Sequence, residues 1–449
     1  MFFDPEISNS DDPGKEPRGS KRVVFFGLNY SPEMVGIGPY TAGLAEMLVD
    51  AGHDIEVVTG HRYYPEWKLS SPPGNGWRRE TINGVLVHRC PIYVPRKPSA
   101  ARRLMHYASF AASAFWPLTN LLFRKRTNVV FAVAPSLIAC LTALFLGKLF
   151  RVPVWLHLQD FEVEMAFATR FMRPDGVFAK IARATEQFVL RRADLVSTIS
   201  PKMLEKLEAK GVEPARRLQL RNWANHAEAI GSANCKELVS KLGLEGRAIA
   251  LYSGNIGAKQ GLENVIEAAE RLHRRTDIAF VICGGGNTLE SLKKGAVGLN
   301  NVRFLPMQNR DRFAQLMRLA DIHLLPQTAE VADLVLPSKL PNMLASAAPV
   351  IATAREGTGI ADEIEGCGIV VPPDEPIALA EAIERLADDP QLRQKLGSVG
   401  FRRSAARWSA QNALRSFQEG LARLESAATN RNRTAGNTGN TTASSLDRR

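Results

Sequence analysis

Apolar positions along the chain alternate between two periods. KRVVFFGLNY is a nearly unbroken apolar run. PYTAGLAEMLVDAGH spaces its apolar residues as a helix does, with Pro39 near the first turn and Gly52 just past the end, and DIEVVTG returns to strand. This is one βαβ unit. It recurs through NVVFAVA, SLIACLTALFLGKLF, VPVWLHL, FAKIARATEQFVLRR and DLVSTIS. Strands this apolar belong to parallel sheets covered on both faces.

After about residue 220 the alternation is interrupted by RNWANHAEAIGSANCKELVSKLGLEGR, which reads as an interdomain connection. A second run follows: AIALYSG, LENVIEAAERLHRR, IAFVICGGG, VRFLP, DRFAQLMRLA, DIHLLPQ, DLVLPSKLPNMLASAAPVIAT, GIVVPP and IALAEAIERLADDP. The expected fold is α/β, with two doubly wound Rossmann-like domains at 21–222 and 247–400 joined through 223–246. Ligands of such sheets bind outside the carboxyl ends of the strands, which puts the active site in the cleft between the domains. Residues 1–20 read as a disordered arm. The polar, low-complexity stretch 426–449 reads as a disordered tail.

Composition supports two domains: 449 residues, 45% hydrophobic and 23% charged, are enough for two cores. The formal charge of +11 asks for an anionic partner. Nucleic acid is disfavoured, because the basic residues are not interleaved with aromatics in any recognised module. Cys90, Cys140, Cys235, Cys283 and Cys367 are widely spaced, without metal-ligand or disulfide patterning, and the polar start is no secretory leader. A cytoplasmic location is expected.

Three glycine-bearing loops follow strands. In NYSPEMVGIGPYTAG, Gly36 and Gly38 lead into a helix whose free N–H groups suit an anion, although the spacing fits neither a Walker loop nor the dinucleotide fingerprint. A turn that simply needs glycine is the other reading. YSGNIGAKQGLE repeats the arrangement with Gly254, Gly257 and Gly261, and places Lys259 near a helix start, where the dipole disfavours a cation unless an anion lies between them. A solvated surface lysine remains the alternative. CGGGNTLE, Cys283 to Glu290, allows close approach by a ligand or by neighbouring backbone.

An ammonium inside the apolar stretch Asp333 to Thr353 needs a reason. Pro337 marks a helix start, so Ser338 and Lys339 fall in the first turn, and a hydroxyl, free N–H groups and a cation converge there. A nucleotide diphosphate suits that site.

These residues carry a resemblance. GLNYSPEMVGIGPYTAGLAEMLVDAGHDIEVVT, HRYYPEW, HLQDFEVE, YSGNIGAKQGLE and the DLVLPSK to APVIAT stretch, in this order over residues 21 to 425, resemble the retaining glycosyltransferases of family four. Within that family they look like the colanic-acid-type, fucosyltransferase branch of exopolysaccharide synthesis. The resemblance implies a GT-B fold, with the nucleotide sugar held mainly by the second domain, the acceptor by the first, and a final helix, 401–425, crossing back to the first domain. It implies donor contacts for Gly36, Ile37 and Gly38; the glycine loops and the helix start read above add Gly254, Lys259, Gly284, Gly285, Ser338 and Lys339 as donor-binding candidates, and Asn255 and Asn342 join them at positions where the family keeps other residues. The family's Arg and Lys pair falls here at Asn255 and Gln260, with Lys259 one place away. Its two glutamates fall near Leu334 and at Asn342, so Asp333, with Glu330 as second candidate, would take over bonding to the sugar hydroxyls. A helix cap is the plainer role for Asp333.

The histidine the family keeps near the sugar matches His157, which could donate a hydrogen bond or relay a proton, or could be structural. Asp160 and Glu162 could orient it, bind the acceptor hydroxyl, or be loop charges. The expected catalytic residues are therefore His157, Asp160 and Asp333. With no Asp-x-Asp signature and no His/Cys cluster in the sequence, no metal and no cofactor are expected, and lysine and backbone dipoles would stabilise the departing diphosphate. The expected reaction is metal-independent transfer from a nucleotide sugar, GDP-fucose favoured, to a lipid-linked saccharide. A sugar-nucleotide epimerase of the same fold and a non-catalytic scaffold are the alternatives.

LMHYASFAASAFWPLTNLLF, Leu104 to Phe123, is long enough to span a bilayer and is flanked by cations across 102–126. Cations on both sides, with His106 and Pro117 inside, favour a helix lying on an anionic membrane, at the inner face of the plasma membrane, over a span. A helix internal to the first domain is the other reading.

Overall fold

The computed structural model describes residues 19–440, apart from 34–35, 65–66, 70–73, 98, 125, 135, 169–171, 173–174, 227–235 and 330–335. Two sheets organise it. The first has eight strands: β1 (Arg22–Gly27), β2 (Asp54–Gly60), β3 (Arg78–Ile82), β4 (Val85–Cys90), β5 (Val129–Ala134), β6 (Val154–Leu158), β7 (Leu195–Thr198) and β8 (Arg217–Gln219). Their spatial order is β3-β4-β2-β1-β5-β6-β7-β8, parallel except for the β3–β4 hairpin. The second sheet is parallel throughout, in the order β11-β10-β9-β12-β13-β14. Its strands are β9 (Ala248–Asn255), β10 (Ile278–Gly285), β11 (Val302–Leu305), β12 (Ile322–Leu325), β13 (Val350–Thr353) and β14 (Gly368–Val371).

Burial explains the unbroken apolar strands: all six residues of β1 and of β5 are buried. Strand order reverses direction at β1/β5 in one sheet and at β9/β12 in the other, and such switch points open the crevices that hold ligands. The loop after β1 carries Gly36–Gly38, and the end of β9 together with the loop after it carries Gly254–Gly261.

The crossing back to the first domain needs two helices, not one. Pro390–Arg407 packs on the short helix Leu340–Ala345 of the second domain, the helix breaks at Trp408, and Ala410–Asn440 then returns. There Phe417 stacks on Trp155 at 4.6 Å between ring centroids and meets Phe131 edge-on at 5.1 Å. A side chain at Gly420 would begin 2.2 Å from the Trp155 ring, so glycine lets the helix touch the sheet. This helix continues to Asn440, past the boundary at 425 read from the sequence, and the hydroxyls of Ser426 and Thr429 bond back to carbonyls four residues earlier. The arm expected at 1–20 lies outside the described residues except for its last two.

Helix Ala100–Arg124 belongs to the layer covering the first sheet. Phe110, Ala114 and Leu118 are fully buried in its core. Among the described residues, no helix is long and apolar enough to cross a membrane.

Candidate active site

The second domain presents a buried cation. The helix Leu340–Ala345 begins three residues later than the start expected at Pro337, so Lys339 is its N-cap residue and not part of its first turn, and its side chain runs toward β9. Its Nζ is buried without a hydrogen-bond partner among the described residues, 3.9 Å from the centroid of the Tyr252 ring. A Cβ placed on Gly254 would lie 3.6 Å from that Nζ. Burial, then the charge of Lys259, pushes the ammonium down to about 7. The Tyr252 ring face offsets part of the desolvation, and the Tyr252 hydroxyl donates to the Asn255 carbonyl. An unpartnered buried ammonium is costly, and an anion entering here would relieve it.

Glycines let the ends of β9 and β10 close together beside it. A Cβ on Gly284 would fall 1.9 Å from the Gly254 carbonyl oxygen, and one on Gly286 2.0 Å from that of Ile256. Those two glycines are demanded by backbone packing. Gly285 has nothing within 4 Å of a built Cβ, so open space lies there.

Across the cleft, Gly36 has φ +74 and leads into the helix Gly38–Asp50. Beneath it Glu33 accepts hydrogen bonds from Asn29 Nδ2 (2.8 Å) and the Tyr64 N–H (3.4 Å), and burial pushes its carboxyl up to about 7. A Cβ on Gly38 would stand 3.2 Å from Glu33 Oε2. Tyr40, on the same helix, donates its hydroxyl proton to the Ser338 carbonyl at 2.8 Å, so the two loops touch.

Asp160 follows β6. Its Oδ1 is buried without a partner among the described residues; burial raises its pKa and the facing Lys259 opposes this. Glu162 accepts from the Leu137 N–H at 3.0 Å and bonds the Tyr107 hydroxyl, and burial, reinforced by Asp160, pushes it up to about 7. Tyr107 belongs to a ring cluster with His106, Tyr63 and Trp67, in which His106 lies 4.5 Å from Tyr63 and 5.5 Å from Trp67. The cleft therefore has a carboxylate wall on the first domain and an ammonium wall on the second.

Two crossings between the domains meet at one carboxylate. Buried Glu363 accepts from Arg221 and from Arg407, each at 2.6 Å, while Arg221 also lies over the Trp408 ring at 5.1 Å.

The sequence compares with known proteins in the same two halves. Residues 35–223 match the glycosyl transferase 4-like domain and residues 236–403 the glycosyl transferases group 1 model. WcaI of Escherichia coli (strain K12), named for colanic acid biosynthesis as a glycosyl transferase, is 37% identical over 407 residues, 88% of this chain and 98% of WcaI. The chain is a family-four glycosyltransferase. Alpha-D-kanosaminyltransferase of Streptomyces kanamyceticus is 31% identical over 51% of this glycosyltransferase and 60% of its own length. Among solved structures, sucrose-phosphate synthase from Thermosynechococcus elongatus superposes with a TM-score of 0.71 at 17% identity, covering 91% of this chain and 100% of that one. Anabaena HepE in complex with UDP-glucose superposes at 0.65 and 15% identity, covering 89% and 99%. The fold is GT-B, two Rossmann-like domains facing a cleft.

In this glycosyltransferase the site residues read from the sequence divide into groups. Gly36, Ile37, Gly38, Gly254, Lys259, Ser338, Lys339 and Asp160 converge on the cleft, and Asn255 and Gly285 end the two adjoining strands there. Gly284 is occupied with backbone packing. His157 lies inside the sheet: its Nδ1 meets Ser197 Oγ at 2.8 Å, its Nε2 meets the Gln159 amide at 2.9 Å, and burial pushes it down to about 3, so it is neutral. Gln159 is itself locked to Asn222. Asn342 accepts from the Asn225 N–H at 2.9 Å and so ties the domain connection to the second domain. Asp333 and Glu330 lie outside the described residues. Glu33, Tyr40, Tyr107 and Tyr252 were not singled out in the sequence; the acidic residue inside NYSPE, just ahead of a glycine loop, was the one available signal.

Proposed function

We propose that this glycosyltransferase moves a sugar from a nucleotide-sugar donor, GDP-fucose favoured, to a lipid-linked glycan during exopolysaccharide synthesis, with retention of anomeric configuration and without a metal. The observation that carries this reading is the Lys339 ammonium, buried beside Gly254 without a partner among the described residues, next to Ser338, whose carbonyl meets Tyr40 of the helix that the Gly36–Gly38 loop opens. A diphosphate between them would satisfy the cation and receive N–H groups from both loops. The relation to WcaI over most of the chain supports the exopolysaccharide setting.

Lys339 and the glycine-loop amides hold the diphosphate, and the sugar lies toward the first domain. The acceptor hydroxyl attacks the anomeric carbon from the leaving-group face: its oxygen forms the new bond, the bond to the phosphate oxygen breaks, and the electron pair leaves with the nucleotide diphosphate. The hydroxyl proton passes to that phosphate, with Asp160 positioning the acceptor. Closing the cleft on Tyr40 and Ser338 excludes water that would compete with the acceptor. Peripheral contact through 102–126 would bring the protein to the membrane-borne acceptor.

The test is incubation of purified protein with a panel of nucleotide sugars and a polyprenyl-linked acceptor. Acceptor-dependent release of nucleotide diphosphate, insensitive to EDTA and giving product of the donor's anomeric configuration, is expected. No release from any pair, or isomerised donor without acceptor, contradicts it.

A further inference from the structure

Eleven of the sixteen large apolar side chains that stand exposed among the described residues lie on three helices of the first domain. They concentrate there instead of scattering as single surface residues do, and such a patch marks an interaction site. Ala100–Arg124 packs along Leu137–Phe150, which packs along Val177–Arg192, so the three form one layer over the sheet. The first helix displays Leu104, Met105, Phe115, Trp116 and Phe123, with Trp116 74% exposed. Phe145 and Leu149 stand out from the second, and Val177, Phe178, Ile181 and Phe188 from the third. Phe115 stacks on Phe145 at 6.4 Å between centroids, which joins the stripes of the first two helices.

Charge identifies the occupant. The same helices carry exposed cations: Arg102 and Arg124 on the first, Lys148 on the second, and Arg191 and Arg192 on the third. Glu186, the one acidic residue in the sequence of the three helices, is buried and paired with Lys210 at 2.7 Å. A second copy of this chain would bring the same cations against them. An anionic bilayer suits both components, since apolar side chains and tryptophan enter the acyl boundary while Lys and Arg meet the headgroups.

We infer that these three helices together form one docking plane for the surface of an anionic bilayer, extending well beyond the segment 102–126. The inference deepens the membrane contact proposed above and rests on it. The plane also has a direction. The helix that displays Leu104 and Met105 places Tyr107 against Glu162, next to Asp160, so a sugar carried on a membrane lipid arrives beside the carboxylate wall.

The experiment uses the full chain with vesicles that contain no glycan acceptor, so its outcome is independent of the transfer reaction. Flotation is measured with phosphatidylcholine alone and with about one lipid in three replaced by phosphatidylglycerol. Binding to the anionic vesicles only, weakened by salt, is expected. A variant carrying Phe145→Ser, Phe178→Ser and Ile181→Ser, all outside 102–126, should bind about tenfold or more less tightly, with unchanged melting temperature because these side chains are exposed. Equal binding by the variant, or no binding by the native chain, overturns the three-helix plane. So does a dimer in solution that the same substitutions dissociate. Nucleotide diphosphate release from donor in solution, measured on the same variant, separates a failure of docking from a failure of catalysis.

Discussion

The Lys339 ammonium rests 3.9 Å from the centroid of the Tyr252 ring and meets no hydrogen-bond acceptor among the described residues. The ring holds the cation at the mouth of the Gly254 loop without neutralising it, so the site is prepared for an anion. Removing the cation should therefore stabilise the empty protein and weaken the loaded one. Lys339→Met is expected to raise unfolding stability by about 1–3 kcal/mol in urea titrations without nucleotide, because a buried unpaired polar group is lost.

The same pair sets a pH dependence. Burial, with Lys259 nearby, pushes the Lys339 ammonium of the folded chain down from its ordinary 10.5 to about 7. Below 7 both folded and unfolded chains carry the proton and the burial cost is full; between 7 and 10.5 the folded chain sheds it first, so this group makes stability rise with pH. Glu33 and Glu162, each raised from 4.5 to about 7, act in the opposite sense, their contribution being lost as pH rises through that interval. Denaturation followed across pH should show the acidic-side slope flattened in Glu33→Gln and the alkaline-side slope flattened in Lys339→Met.

Neighbouring glycines should behave differently. Gly284→Ala puts a methyl 1.9 Å from the Gly254 carbonyl and must part β9 from β10, costing about 1–3 kcal/mol or more in thermal or urea unfolding. Gly285→Ala meets nothing within 4 Å and should leave stability within about 0.5 kcal/mol. A rise in donor KM in the second variant would then report ligand approach and not misfolding.

Glu363 ties both chain crossings to the second domain. Glu363→Ala leaves Arg221 and Arg407 without their shared acceptor, and because Arg407 is 46% exposed part of the loss is screened; about 2–3 kcal/mol is expected from urea unfolding. Arg221→Lys, which keeps the charge but loses the stacking on Trp408, should cost less.

Much of the fold was legible because parallel strands buried on both faces leave long apolar runs, as in β1 and β5. The β3–β4 hairpin was missed, although Asn83 and Gly84, both at positive φ, are a hairpin turn signature. Strand β8 has three residues and carries no periodic signal. In the site, Lys339 and the glycine loops could be read because a cation or a flexible turn is anomalous where it stands. Tyr252 could not, since a tyrosine inside a buried strand looks like core until β9 brings its ring face to a cation. Asn342 meets Asn225 only through folding, 117 positions apart. His157 stands at the end of a strand, where alternation alone does not say that both ring nitrogens are taken by Ser197 and Gln159.

Calorimetric titration of the native chain and Lys339→Met with nucleoside diphosphates, in buffers of different ionisation enthalpy at neutral to mildly alkaline pH, tests the diphosphate site most directly. Binding by the native chain with proton uptake, weakening as pH rises above about 7, and a loss in the variant on the order of a hundredfold are expected. Equal affinity in a folded variant, with no proton linkage in either protein, would contradict a pyrophosphate held by the ammonium of Lys339.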